Sequence, residues 1–390
     1  MSGGAALGAL WNGYVVLLHA TLCLGGVTLA LPIARRVGPA ARAHVHAAAL
    51  VGMLLVSVLC WLPVGAWGRG VPAPVAAPLL ALGAAAMAFP TGEAAARTTA
   101  TLATALLALW IGGALLVLAR MAAGWWSVRA ITRRATPVTD RAWTRALRDA
   151  CTAMGTHQGV ELRLSDEVAT PLTWGTLDPV ILLPSSAAVW PAERRRLALL
   201  HELAHVRRLD CVVQALAHVA FAWYWFHPAA WWARRGLRDA REEACDARVL
   251  AAGVRPSEYA QCLLDVAAEA RGRTLHASAS LAMARAPQLH TRVRRVLATR
   301  AGAPVHATPT WVSRGVLAAA LAWMLLLGSL RLGPDRALLW DALGGDAWPR
   351  RAYAAAVLGQ SRFPQVRAEL RARAADDPHP VVRRLARAAR

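Results

Sequence analysis

The sequence predicts a mainly α-helical α+β protein with about four membrane-spanning helices, a mixed α+β domain inserted between the third and fourth, and a short helical, repeat-like tail. Three observations predict it. The 390 residues are 56% hydrophobic and only 17% charged, whereas soluble domains carry about a quarter of charged residues. Uncharged runs long enough to cross a bilayer recur along the chain. Between Arg120 and Thr310 the composition turns mixed, with short strand-like and longer helix-like runs.

The first span lies within Met1–Ala34, which holds no charge and ends at Arg35 and Arg36; about 25 apolar residues are enough for a hydrocarbon core roughly 30 Å thick. No basic segment precedes it, so it does not read as a cleaved signal peptide. A second span fits His46–Trp67 and a third fits Thr98–Ala119, closed by Arg120. The fourth falls within Gly315–Leu330, short between Arg314 and Arg331, whose side chains can snorkel. Val71–Pro90 is uncharged but carries Pro72, Pro74, Pro78 and Pro90, and reads as a re-entrant or surface segment.

Arginine density then orients the set. Arg35, Arg36 and Arg42 follow the first span and Arg120, Arg129, Arg133 and Arg134 the third, while the connector after the second has only Arg69 and Arg97 beside Glu93. The positive-inside rule places the N-terminus outside and the inserted domain in the cytoplasm of a multi-pass cell-membrane protein. The expected division is a membrane domain over 1–123, a cytoplasmic domain over 124–310, a fourth transmembrane helix over 311–332 and a tail over 333–390.

All 44 basic side chains are arginine. Without lysine there is no Schiff-base chemistry, no phosphate-loop lysine and no Ser-x-x-Lys nucleophile. The net charge of +21 fits nucleic acid or an anionic membrane face. Arg194–Arg196, Arg207, Arg208, Arg234 and Arg235 cluster without a recognition motif, so membrane lipid is the expected partner and direct nucleic-acid binding is not. Six cysteines without a Cys-x-x-Cys pair suggest neither a disulfide framework nor a thiolate zinc site.

In the central domain, Val160–Leu164 and Pro179–Leu183 read as strands. Pro191 suits the first position of a helix and Glu193 its positive end. That helix carries His201-Glu202-Leu203-Ala204-His205. Histidines at i and i+4 share one face and can grip one metal ion, with the glutamate beside them as a proton acceptor. A catalytic zinc site takes a third protein ligand and leaves a fourth position open. Downstream, Glu242 and Asp246 lie one turn apart on a helix-compatible run; Glu242 can be the third ligand and Asp246 can accept a hydrogen bond from a ligand histidine. Asp239 and Glu243 read as solvated charges. His218 and His227, in the uncharged aromatic stretch Cys211–Ala233, read as packed or interfacial; spanning there would carry Glu242 away from His205. Asp210 either orients the site or caps a helix, and Tyr259 either reaches a substrate oxyanion or is buried structurally.

The ordered set Thr170-Pro171, Gly175, Pro179–Pro184, His201–Asp210, Trp225-Phe226-His227-Pro228, Trp231-Trp232, Glu242-x-x-Cys245-Asp246 and Glu258-Tyr259-Ala260 resembles the membrane metallopeptidase family of the β-lactam sensor-transducers, or antirepressors, over roughly residues 1–330. The resemblance implies a gluzincin-like zinc endopeptidase domain in the cytoplasm, with Zn2+ held by His201, His205 and Glu242, Glu202 as general base and Asp246 behind the ligands. It also implies a regulatory transducer whose protein substrate is a transcriptional repressor. An extended substrate can pair with the strands before the active helix. A housekeeping membrane protease without signal input, and a non-catalytic membrane scaffold, are the alternatives.

The tail departs from that family. Only about 60 residues follow the fourth span and none is lysine, so the family's penicillin-binding sensor is not expected. Pro349–Leu358, Pro364–Ala375 and Pro380–Ala389 read instead as short helices resembling a HEAT-type repeat. One and a half repeats bury too little surface to stand alone, so the tail is expected to dock on another surface or on a protein partner, and four spans would put it outside the cytoplasm.

Overall fold

The computed structural model describes residues 31–36, 38–61, 93–156, 159–274, 279–299, 336–359 and 363–389, with positions 21, 315, 318, 322 and 361 besides. The chain divides into two compact units: Gly26–Val51 with Gly113–Leu321, and Met1–Gly25, Gly52–Gly112 and Ala322–Arg390. The described residues are mainly helical, with one small sheet. The segment Val71–Pro90 and nearly all of the expected first and fourth spans lie outside the described residues.

Helix α1 is Pro39–Trp61. Ala41, Val45, Ala48, Ala49 and Leu50 are buried, so the opening turns of the expected second span are enclosed by protein. Helix α2, Glu93–Arg134, has 42 residues, about 63 Å at 1.5 Å per residue. It runs through Arg120 without a break, and its Thr104–Arg134 portion is, among the described residues, the one helix long and apolar enough to cross a membrane. Leu106, Leu109, Leu115 and Leu116 point outward, as lipid-facing side chains do.

The sheet contains β1 (Thr136–Pro137), β2 (Glu161–Ser165), β3 (Leu172–Trp174) and β4 (Val180–Pro184) in the order β1-β2-β4-β3. β4 pairs in parallel with β2 and antiparallel with β3. The unbroken run Val180–Leu183 has no polar face because both its faces are covered. Ile181 and Leu183 join the main core with Trp143, Leu199, Leu200 and Leu203. Val180 and Leu182 turn the other way and pack with Val128 and Ile131 of α2 and Leu172 and Trp174 of β3.

Helix α3, Arg141–Met154, is capped by Asp140, whose side chain accepts from the Ala142 N–H, and ends at left-handed Gly155. After the sheet come α4 (Ala192–Arg207), α5 (Asp210–Trp223), α6 (Pro228–Ala251), α7 (Pro256–Thr274) and α8 (Ala279–Ala298). The stretch Cys211–Ala233 is therefore a helical hairpin, with His227 capping α6 and the Trp225 ring filling the space a side chain at Gly113 of α2 would need. Gly236 of α6 is likewise a notch that receives the His46 ring of α1.

The arginine cluster expected to face lipid is largely spent inside the domain. Arg194 pairs with Glu269 and stacks 4.0 Å from the Trp190 ring centre, Arg195 lies over Trp143, Arg207 donates to the Met154 carbonyl, and Arg208 faces Asp210. Glu243, expected as a solvated charge, is three-quarters covered and bridges Arg42 of α1 and Arg295 of α8.

In the other unit, α9 (Arg336–Gly344), α10 (Trp348–Gly359), α11 (Pro364–Arg373) and α12 (Pro380–Ala388) match the three expected tail helices and add a fourth before them. Leu339, Leu343, Tyr353, Leu358, Leu370 and Val382 share one core. Trp348 stacks on His379 at 3.9 Å, and Arg351 forks onto the recessed carboxylate of Asp377. The extra helix is what gives so short a tail a core of its own.

Candidate metal centre

Helix α4 presents His201 and His205 on one face, their rings edge to face with centres 4.9 Å apart. Helix α6 crosses it and brings Glu242 opposite: the carboxylate lies 3.6 Å from His201 Nε2 and 3.8 Å from His205 Nε2. These separations are too long for hydrogen bonds. They are the spacing of three donors aimed at one point, and the three ligand atoms lie within 4.8 Å of one another. The structure thus brings together the three residues expected as ligands.

The far side of each ring is held. His205 Nδ1 lies 2.8 Å from Asp210 Oδ2. That closeness depends on Leu209, whose φ of 53° is left-handed and costs a branched residue roughly 1–2 kcal/mol. The reversal turns the chain between α4 and α5 so that Asp210, the first residue of α5, faces back to the ligand helix. Cys245 Sγ reaches the same nitrogen at 3.3 Å. At His201 the partner of Nδ1 is the Tyr259 hydroxyl, at 2.9 Å, which itself donates to Asp246 Oδ1 at 2.7 Å. Asp246 is 3.5 Å from His201 Nδ1, so the direct bond expected from the sequence is replaced by a relay through Tyr259. With its hydroxyl committed there, Tyr259 is a buried brace.

Glu202 points into the cleft beside the histidines and is 6% exposed. Thr173 of the edge strand β3 donates to its Oε2 at 2.7 Å, fixing the carboxylate plane. Two positions escaped the sequence reading: Thr173, and Arg292 of α8. The Arg292 guanidinium donates to Asp246 Oδ2 and Oδ1 at 2.9 and 2.6 Å and meets Glu242 Oε2 at 3.0 Å. Its only signal in the sequence is a charge, shared with 43 other basic residues.

The charges are mutually supporting. Burial opposes ionisation of Asp210, but the His205 bond and the guanidiniums of Arg208 and Arg241 outweigh it and hold its pKa below the ordinary carboxylate value. Burial also works against ionised Glu242, yet His201, Arg292 and His205 keep it well below the usual range. Burial, with the negative Asp246 beside it, pushes the Tyr259 phenol well above its ordinary pKa, so it remains a donor. Neither His218, bonded to the Gln214 carbonyl, nor the cap His227 belongs to the cluster.

A cleft of about 790 Å³ opens over these groups, walled by Thr170–Thr173, by Leu263, Val266 and Leu289, and by the charged Arg238, Asp239 and Arg241. The donor set suits a divalent ion of the zinc type: two imidazoles and one carboxylate on rigid helices, each ring fixed from behind.

A family model described as BlaR1 peptidase M56 matches residues 77–296, more than half of the chain. A 94-residue stretch, 24% of this chain, is 33% identical to the "Regulatory protein BlaR1" of Bacillus licheniformis; it spans 16% of that relative's length.

Proposed function

Because the chain belongs to the BlaR1 peptidase M56 family, we propose that it is an integral-membrane zinc metalloendopeptidase acting as a regulatory transducer, which hydrolyses a peptide bond in a cytoplasmic protein of the transcriptional-repressor class. The observation that carries this reading is the convergence of His201 Nε2, His205 Nε2 and the Glu242 carboxylate, with both Nδ1 atoms held from behind. In this reading His201, His205 and Glu242 hold Zn2+. When bound, the ion supplies Lewis acidity to the scissile carbonyl and to the attacking water.

The chain's own groups do the rest. Glu202, held by Thr173, takes the proton of the attacking water and passes it to the departing amine. Asp210 stabilises the positive charge that His205 gains on ligation, and Tyr259 and Asp246 do the same for His201. Among the described residues β3 is bonded on one side only, to β4, and its other edge lies along the cleft, where an extended peptide can add as a further strand. This places the scissile segment beside Glu202.

The membrane reading rests on the 42-residue α2, with its outward leucines and with Arg133 and Arg134 at its last turn. The protease domain then lies in the cytoplasm, and the helical tail, with its own core, is free to engage a protein partner on the other side.

The deciding experiment compares newly created N-terminal peptides in cells carrying wild type or Glu202→Gln. Cleavage of one cytoplasmic protein is expected in wild type only, with the variant still holding one zinc per chain. Undiminished proteolysis by Glu202→Gln would sink the mechanism. Cleavage spread over many unrelated membrane proteins would leave a protease but remove the regulatory role.

A further inference from the structure

Resting on the metal-site reading above, we propose that Arg292 is a positioning residue that presents Glu242 to the metal through a single oxygen. From α8, its guanidinium spans two carboxylates that stand one turn apart on α6. Two negative side chains at i and i+4 repel each other. Here both are recessed: the Asp246 side chain is 6% exposed and that of Glu242 32%. One planar cation with donors on three nitrogens can satisfy both at once and fix the plane of each.

The division of labour is legible atom by atom. Nε and Nη2 grip both oxygens of Asp246, which frees Nη1 for Glu242 Oε2 at 3.0 Å. Oε2, so engaged, also faces His201 Nε2 at 3.6 Å, while Oε1 carries no guanidinium bond and stands 3.8 Å from His205 Nε2. Nη2 also comes within 3.5 Å of His201 Nε2, so the guanidinium borders the point where the three donors converge. A carboxylate restrained to one ligating oxygen, with two imidazoles, leaves room for both water and a substrate carbonyl. A carboxylate free to swing and bind through two oxygens would take up that room.

The same fork ties α8 to the ligand helix. The Asp246 end of the fork also holds the Tyr259 hydroxyl that meets His201, so Arg292 touches the surroundings of two of the three ligands from one place.

The test uses full-length protein in detergent and Co2+ as the probe, read by chelator competition and by the visible d–d spectrum. Arg292→Lys keeps the positive charge, but one ammonium cannot span Asp246 and Glu242 together; Arg292→Met removes the charge. Both are expected to bind cobalt about tenfold or more weakly than wild type and to show a changed spectrum, the mark of altered coordination. A folded variant, judged by circular dichroism, with wild-type affinity and an unchanged spectrum would overturn the proposal. Should the methionine variant not fold, the lysine variant decides alone. Wild type that takes up no cobalt would overturn the metal reading itself and this inference with it, whereas normal binding by both variants would remove the inference only.

Discussion

His205 Nδ1 and Asp210 Oδ2 stand 2.8 Å apart although α4 has ended and α5 has begun between them. The bond leaves Nε2 as the nitrogen facing Glu242, so a carboxylate five residues downstream determines which end of the imidazole is available for an ion. Asp210 is 2% exposed, so the contact is shielded from bulk solvent.

Asp210→Asn keeps the shape but removes the charge that supports a ligated imidazole. Zinc affinity, measured by chelator competition on the full chain, is expected to fall about 10- to 100-fold. Equal affinity in both proteins would show that the aspartate serves the α5 terminus alone.

Thr173→Val is nearly isosteric and deletes the donor to Glu202. A hydrogen bond to a charged group is worth about 1.5–3 kcal/mol, so a turnover loss of about tenfold or more is expected, with zinc content unchanged. The measurement is peptide-bond cleavage beside metal stoichiometry; a fall in zinc content would move the effect from the general base to the site's architecture.

Gly236→Ala puts a methyl group where the His46 ring lies. Overpacking of this kind costs about 1–3 kcal/mol. Thermal melts of Gly236→Ala, His46→Ala and the double variant should show the double to be less destabilised than the sum of the singles. Strict additivity would mean that the two residues do not meet.

The Cys262 thiol is pushed up to about 11 by burial. At pH 8 only about one thiol in a thousand is then ionised, against about a quarter for an ordinary cysteine. Alkylation by iodoacetamide, followed by mass spectrometry, should be more than about a hundredfold slower in the folded protein than in urea. The folded-state rate should climb with pH until about 11, because the thiolate is the reactive form.

Much of this was legible in the sequence, and for stated reasons. The His201–His205 pair and Glu242 each sit on one helix, so i,i+4 spacing displays them without knowledge of the fold. Strand β4 announces itself because its apolar run is bounded by turn residues, and β2 because Leu162 and Leu164 alternate with Glu161, Arg163 and Ser165. β3 does not: Leu172–Trp174 is three half-buried residues long, too short for alternation to register. Arg292 lies 50 residues beyond Glu242, and only the packing of α8 on α6 distinguishes it from the other arginines. The role of Asp210 stayed divided between orienting and capping because it rests on a left-handed leucine, a conformation that residue type does not advertise. The tail helices were readable from proline starts and apolar spacing. Their common core was not, since it needs α9, Arg336–Gly344, and the packing of Leu339 and Leu343 against the later helices.

The last turns of α2 belong to two structures at once. Val128 and Ile131 complete the apolar layer beneath Leu172 and Trp174, and Trp125 meets Trp174 edge to face at 6.5 Å. The strand that borders the cleft is therefore floored by the end of the 42-residue apolar helix α2 rather than by the helices that carry the metal-site residues. In evolutionary terms α2 is not an interchangeable part: a lineage that replaced it would have to keep these aromatic and β-branched positions or refit the strand beside the cleft. In the laboratory, a fragment trimmed back to Thr136 would leave that apolar face of the sheet uncovered.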